Sequence, residues 1–236
     1  MATALVTGAS RGLGLELAWA LADDGWTLVI DGRDPTALEA VAAALSRKTT
    51  VRAVAGDVAD PGHRLALRSV VEELDGLDVL VNNASVLGPS PQPSLAEYPL
   101  DVFEEVYRVN TVAPLALIQL MLPALRAAGG RIINITSDAA VEPYEGWGGY
   151  GSSKAALEQV TRILAAEQPD LRVYLADPGD LRTRLHQEAF PGEDISDRPL
   201  PKVAIPGLLR LIYGTLPSGR YRAQELSAPV KEVALP

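Results

Sequence analysis

The sequence predicts an α/β fold: a doubly wound parallel sheet of about seven strands with helices on both faces. Three observations predict it. Short apolar runs of strand length alternate with segments whose apolar residues recur at helical spacing. A glycine-rich turn, with Gly8, Gly12 and Gly14, sits at the first strand-to-helix junction. The 236 residues, 47% of them hydrophobic, suffice for one core of the larger kind and are short for two.

The elements follow in order. Thr3–Thr7 is a short apolar strand. Gly12–Asp24 is a helix with Leu13, Leu17, Ala20 and Leu21 at helical spacing, closed by Gly25. Thr27–Asp31 and Pro35–Ser46 form the second unit, with Pro35 suited to a first helical turn. Val51–Val54 and then Pro61 to Leu74 repeat it, and Asp78–Asn82 is the fourth strand. Leu100–Ala127 reads as one long helix that Pro114 and Pro123 kink or stop. Gly129-Gly130 breaks to the strand Arg131–Thr136, followed by a helix of about 149–167 and the strand Arg172–Ala176. Proline and glycine then concentrate from Asp177 to Pro206, so 180–206 is expected to be a substrate-binding loop or lid. A helix near Lys202–Tyr213 and a strand at Gly219–Ala223 finish the chain. With no repeat or linker in view, 1–236 is expected to be a single domain.

Charge and composition narrow the function. The 21 Lys and Arg against 30 Asp and Glu leave a formal net charge of −9, which argues against nucleic acid or an anionic membrane as partner. Without cysteine there is no disulfide, thiolate nucleophile or zinc–thiolate site. Two histidines, His63 and His186, leave little for a metal site, and none is expected. The first residues lack a signal-peptide pattern and no uninterrupted apolar run reaches spanning length, so a soluble, cytoplasmic protein is expected.

The turn Thr7-Gly8-Ala9-Ser10-Arg11-Gly12-Leu13-Gly14 is built to bring backbone N–H groups and a helix N-terminus against a pyrophosphate. Its T-G-x-x-x-G-x-G spacing resembles the short-chain dehydrogenase/reductase family, and the likeness continues down the chain. Gly56-Asp57-Val58 follows the third strand and Asn82-Asn83-Ala84-Ser85 the fourth, with Ser85 where the family has glycine. Asn110 lies in the long helix and Ser137 ends the fifth strand. Tyr150-Gly151-Ser152-Ser153-Lys154 matches the family's Y-x-x-x-K, thirteen residues after Ser137. Asp177-Pro178-Gly179 with Thr183 resembles its P-G-x-x-x-T segment. Each match is weak alone; seven in order are specific.

The resemblance implies a Rossmann fold, hydride transfer between a nicotinamide nucleotide and a carbonyl or secondary alcohol, and Asn110, Ser137, Tyr150 and Lys154 as catalytic residues. It implies nucleotide contacts from Gly8, Ser10, Arg11, Gly12, Leu13 and Gly14, from Asp57 and Val58 at the adenine, and from Asn83 and Ala84. Tyr150, Lys154, Pro178, Gly179 and Thr183 complete that set. Tyr150 and Lys154 are four apart and share a helix face. A nearby ammonium, with a positive nicotinamide ring, favours the phenolate and is expected to bring Tyr150 below the range of free tyrosine. Ser137 can donate to the oxygen on which charge builds. Lys154 is assigned by the resemblance to the ribose hydroxyls, and Asn110 to an ordered water that relays protons from Lys154.

Family members that use NAD carry an Asp at the twenty-sixth position counted from Thr7, which here is Gly32. Arg33 follows it, and with Arg11 supplies two guanidinium groups suited to a 2′-phosphate, so NADP(H) is favoured. Asp31 keeps NAD(H) open, because a carboxylate at the strand end can accept from ribose hydroxyls.

Candidate substrate contacts are Ser85, Val86, Leu87, Asp138, Ala139, Val141, Tyr144, Trp147, Leu185, His186 and Phe190. Tyr144 and Trp147 either stack on a flat substrate or pack the lid. His63 reads as a helix-start residue. Rival readings are a catalytically silent nucleotide-binding regulatory protein and a reductase of carrier-linked acyl chains. The acidic charge counts against an acidic carrier. Apolar residues on the long helix and on 149–167 (Val102, Val106, Leu117, Ala155, Leu157, Val160, Leu164) lead to the expectation of a homodimer or homotetramer.

Overall fold

A computed structural model describes residues 1–227; of the span predicted as one domain, 228–236 lie outside the described residues. Seven parallel strands form one sheet: β1 (Thr3–Val6), β2 (Thr27–Gly32), β3 (Val51–Ala55), β4 (Val79–Asn82), β5 (Arg131–Ile135), β6 (Arg172–Asp177) and β7 (Gly219–Arg222). Their order is β3-β2-β1-β4-β5-β6-β7. The winding direction reverses between β1 and β4, which opens a crevice at the carboxyl ends of the strands.

Helices cover both faces, as side-chain alternation along buried strands requires. Ala4 and Val6 of β1 pack with Leu13, Leu17 and Leu21 of α1 (Gly12–Asp23), while Leu5 faces the opposite core. That second core is filled by Leu67 and Val71 of α3 (Pro61–Glu73) and by Leu117, Ile118 and Met121 of a later helix. α2 (Pro35–Leu45) begins at the predicted proline, with Asp34 accepting from the Ala37 amide.

The predicted long helix is three pieces: α4 (Leu100–Tyr107), a π-helical turn at Arg108–Val112, and α5 (Ala113–Ala128). Pro114 therefore falls directly after the π-helical turn, in the first turn of α5, and α5 continues through Pro123. α6 (Gly148–Glu167) carries Tyr150 and Lys154. The proline-rich segment contains a helix that its composition concealed, α7 (Arg184–Ala189). Thr183 caps α7, and an Arg184–Glu188 pair spans it. α8 (Ile205–Tyr213) follows a 3₁₀ turn at Pro201–Ala204, so the predicted helix at 202–213 begins later than its pattern suggested.

Candidate active site

A cleft of about 600 Å³ runs along the carboxyl ends of the strands, from Arg33 and Asp57 at one end to Trp147, Tyr150 and His186 at the other. The glycine-rich turn forms its floor. Gly8 and Gly12 have φ of 65° and 58°, the left-handed region that a side chain disfavours. A Cβ on Gly14 would lie 2.6 Å from the Gly8 carbonyl, so glycine there lets α1 close on the turn. Asn83 braces this arrangement, donating from Nδ2 to the carbonyls of Thr7 (2.8 Å) and Gly8 (3.2 Å). Thr7 Oγ1 accepts in turn from the amides of Asn83 and Ala84. Ser10, Leu13, Asp57, Val58, Pro178, Gly179 and Thr183 all line the cleft, as the sequence led one to expect.

Asp31 sits beneath the glycine-rich turn. Its side chain is buried; Oδ1 accepts from the Gly8 amide at 2.6 Å and Oδ2 faces His63 Nε2 at 3.1 Å. Burial raises its pKa, and the bonds from His63 and Gly8 work in the opposite direction. Each carboxylate oxygen thus has one partner inside the fold, while Asp31 also lines the cleft and keeps acceptor capacity toward a ribose hydroxyl. His63 is more than a helix-start residue: in the first turn of α3 it is buried against Gly56, where a Cβ would come within 2.2 Å of its ring. Nothing in the local sequence marks this pair, which is separated by 32 positions. At Gly32 a Cβ would meet Ser10 Oγ at 3.0 Å, so a larger side chain has little room. Arg11 and Arg33 are exposed at this end of the cleft, and among the described residues neither side chain takes an ion-pair partner.

At the other end Ser137, Tyr150 and Lys154 converge. Lys154 is fully buried, its Nζ donates to the Ile135 carbonyl at 2.8 Å, and it stands 5.6 Å from the centre of the Tyr150 ring. Burial lowers the lysine to about 8. It also pushes the Tyr150 phenol well above the ordinary tyrosine range; the Asp138 and Asp177 charges add to this, while the Ser85 and Ser137 hydroxyls oppose it. The lowering expected of Tyr150 includes the positive nicotinamide ring; in the nucleotide-free protein burial dominates and the phenol moves up. Ser137 Oγ donates to Asp138 Oδ1 at 2.9 Å and accepts from the Ala139 amide, so serving a substrate oxygen requires its hydroxyl to turn from that carboxylate. Asn110, at the π-helical turn, is saturated: Oδ1 accepts from Ser85 Oγ and the Val86 amide, and Nδ2 donates to the Val86 carbonyl and Ser153 Oγ. It ties the loop after β4 to α6.

Of the candidate substrate contacts, Ser85, Val86, Leu87, Asp138, Trp147, Leu185 and His186 line the cleft. Tyr144 does not: it is half exposed, and its hydroxyl donates to Asp138 Oδ2 from outside, edge-on to Trp147. Val141 is exposed, and Phe190 packs on His186 and Trp147. Arg220, absent from the sequence reading, joins Glu158 and Asp177 beneath the catalytic end.

Residues 2–194 match the model of the short chain dehydrogenase family. The chain belongs to that family. A short chain dehydrogenase of Emericella nidulans is 40% identical over 177 residues, covering 70% of this chain and 64% of that protein, so the match spans just under two thirds of the relative. The (S)-benzoin-forming benzil reductase of Saccharomyces cerevisiae is 32% identical over 194 residues, covering 78% of this chain and 73% of that one. Among solved structures, a short chain dehydrogenase of Shigella flexneri complexed with NADP superposes with a TM-score of 0.87 at 30% identity, over 94% of this chain and 97% of the other.

Proposed function

We propose that this short-chain dehydrogenase is an NADP(H)-dependent carbonyl reductase or alcohol dehydrogenase acting on a neutral small molecule, and that it works in the cytoplasm as a homo-oligomer. One observation carries the reading. A single cleft joins two unpartnered guanidinium groups, Arg11 and Arg33, to the Ser137–Tyr150–Lys154 cluster. The bound NADP of the Shigella relative supports the choice of nucleotide.

When bound, the nucleotide supplies or accepts the hydride. Arg11 and Arg33 would hold its 2′-phosphate by bidentate, charge-assisted bonds, and the amides of the glycine-rich turn its pyrophosphate. Lys154 keeps two donors beyond its bond to Ile135, enough for a ribose hydroxyl and the Tyr150 side. Tyr150 gives the proton to the carbonyl oxygen during reduction and takes it back in oxidation, while Ser137 donates to that oxygen. Asp138, Asp180 and Glu105 line the cleft and, among the described residues, take no cationic partner, whereas Asp177 and Glu188 are paired with Arg220 and Arg184. The unpaired charge disfavours carboxylate or phosphopantetheine-linked substrates. The 180–206 segment, with α7 near its start, would serve as the lid.

The test is a panel of neutral ketones, benzil included, with NADPH and NADH. Tyr150→Phe should keep the fold and bind NADPH while turnover falls by about 10²–10⁴-fold, the scale of general acid–base catalysis. A Tyr150→Phe protein with unmodified turnover would sink the mechanism. NADPH binding with no ketone reduced would leave a silent nucleotide-binding protein.

A further inference from the structure

Arg220 lies on β7, outside every motif that carries the family likeness. Its Nε donates to Glu158 Oε1 at 2.8 Å, and its Nη2 to Asp177 Oδ2 at 2.9 Å and to the Ser137 carbonyl at 3.2 Å. Glu158 and Asp177 are 1% and 3% exposed, a burial at which a carboxylate stays ionised only with a good partner. Glu158 follows Lys154 by one turn of α6 and also accepts from Thr136 Oγ1 at 2.9 Å. Arg162 meets its other oxygen at the rim. Asp177 Oδ1 accepts from the Gly179 amide at 2.9 Å, which shapes the Pro178–Gly179 turn.

We propose that Arg220 is a positioning residue for hydride transfer: one guanidinium locks the Ser137 strand end, the Tyr150–Lys154 helix and the Pro178–Gly179 turn together, and neutralises Asp177 beside the acid–base group. The proposal rests on the reading of Tyr150 as that group. A planar fork is needed, because an ammonium cannot serve three acceptors in these directions with the same geometry. The electrostatic part has a defined sign. The charged groups facing Tyr150 are Lys154 on its own helix, Asp138 after β5 and Asp177 at the end of β6; Glu105, Asp180, Arg184, His186 and Glu188 belong to the other walls of the cleft. Asp177 raises the phenol. A guanidinium paired with Asp177 offsets that, so its loss should move Tyr150 further up.

The experiment uses the full chain with Arg220→Gln, Arg220→Lys, and Arg220→Gln combined with Asp177→Asn. Three quantities are read: NADPH affinity by nucleotide fluorescence, turnover of the best panel ketone, and Tyr150 ionisation in the NADP⁺ complex, where the positive ring opposes the effect of burial, by ultraviolet difference absorbance against Tyr150→Phe. Arg220→Gln should lose about 10–100-fold in turnover, the scale of charge-assisted bonds, with NADPH affinity changed far less. The Tyr150 transition should move to higher pH in Arg220→Gln, return in the double variant, and stay in place in Arg220→Lys, whose turnover recovers only in part. If Arg220→Gln does not fold, Arg220→Lys decides: full turnover there overturns the geometric claim. An Arg220→Gln protein with a lower melting temperature but an unmoved Tyr150 transition and unmodified turnover would show a structural brace and overturn the proposal. Should no ketone be reduced by the unmodified protein, the catalytic reading fails by itself, and the absorbance titration still decides whether Arg220 sets Tyr150: an unmoved transition overturns that claim.

Discussion

Lys154 shows what a working site costs the fold. Burial takes it from an ordinary 10.5 to about 8, a difference of roughly 3 kcal/mol at about 1.4 kcal/mol per pH unit. The charged form is disfavoured in the folded state. Below pH 8 both states carry the proton and the cost is present in full. Between about 8 and 10.5 the unfolded chain holds the proton that the native protein has released, so stability rises with pH. Lys154→Met should therefore abolish turnover and loosen the nucleotide. Yet it should unfold in urea at an equal or higher midpoint at pH 7, after the lost bond to Ile135 takes back about 1 kcal/mol. That advantage should shrink toward pH 10. A variant markedly less stable at pH 7 would show the lysine to be a structural asset. Arg33→Ala is the matching test at the other end of the cleft: NADPH should weaken by about 10–100-fold and NADH hardly change, because only a 2′-phosphate uses that charge. Equal use of NADH by the unmodified protein would reject the NADP(H) assignment. At this scale the sequence was legible where function depends on spacing, as with Tyr150 and Lys154 on one helix face. It was silent on Asp31–His63 and Arg220–Glu158–Asp177, pairings made by the winding of the sheet between residues far apart in the chain.

At the scale of elements, periodicity and turn residues placed the seven strands to within a residue or two, since the five inner strands are almost wholly buried and the partly exposed edge strands β3 and β7 are short. They could not reveal the π-helical turn. One extra residue in a helix leaves the apolar pattern nearly unchanged, so Leu100–Ala127 read as continuous, with its prolines as the breakers. The turn matters because it puts Asn110, fully buried, where its amide can bond the Val86 backbone, Ser85 and Ser153 together. Asn110→Leu would leave those groups unsatisfied. The expected cost is about 2–4 kcal/mol in urea unfolding, with turnover reduced because Ser85 and the start of α6 lose their common anchor. Undiminished stability in that variant would mean the loop after β4 holds itself. Thr183 and the Arg184–Glu188 pair were likewise visible as residues, but proline density hid the six-residue helix they frame.

At the scale of the molecule the question is what covers the outer layer of α5 and α6. Thr111 bonds the Ser153 carbonyl near their starts and Arg126 bonds Gln168 near their ends, so the two helices run side by side. Four residues expected to pair two copies (Val106, Leu117, Leu157 and Leu164) are buried within this fold and are not available for pairing. Others remain: Val112 and Ile163 are about half exposed, and Val102, Ala155 and Val160 are partly so. The stretch Leu100–Ala128 is long and apolar enough to cross a membrane by length and composition, and well under half of its most apolar window is buried. The breadth of that apolar layer, on a chain of net charge −9, favours a second copy over a lipid surface, since anionic membranes repel acidic proteins. Light scattering at micromolar concentration should show a dimer or tetramer. Added salt should strengthen it by screening like charges. Val112→Glu with Ile163→Glu should give a folded monomer. A monomer from the unmodified chain, or an assembly indifferent to both substitutions, would place any interface elsewhere.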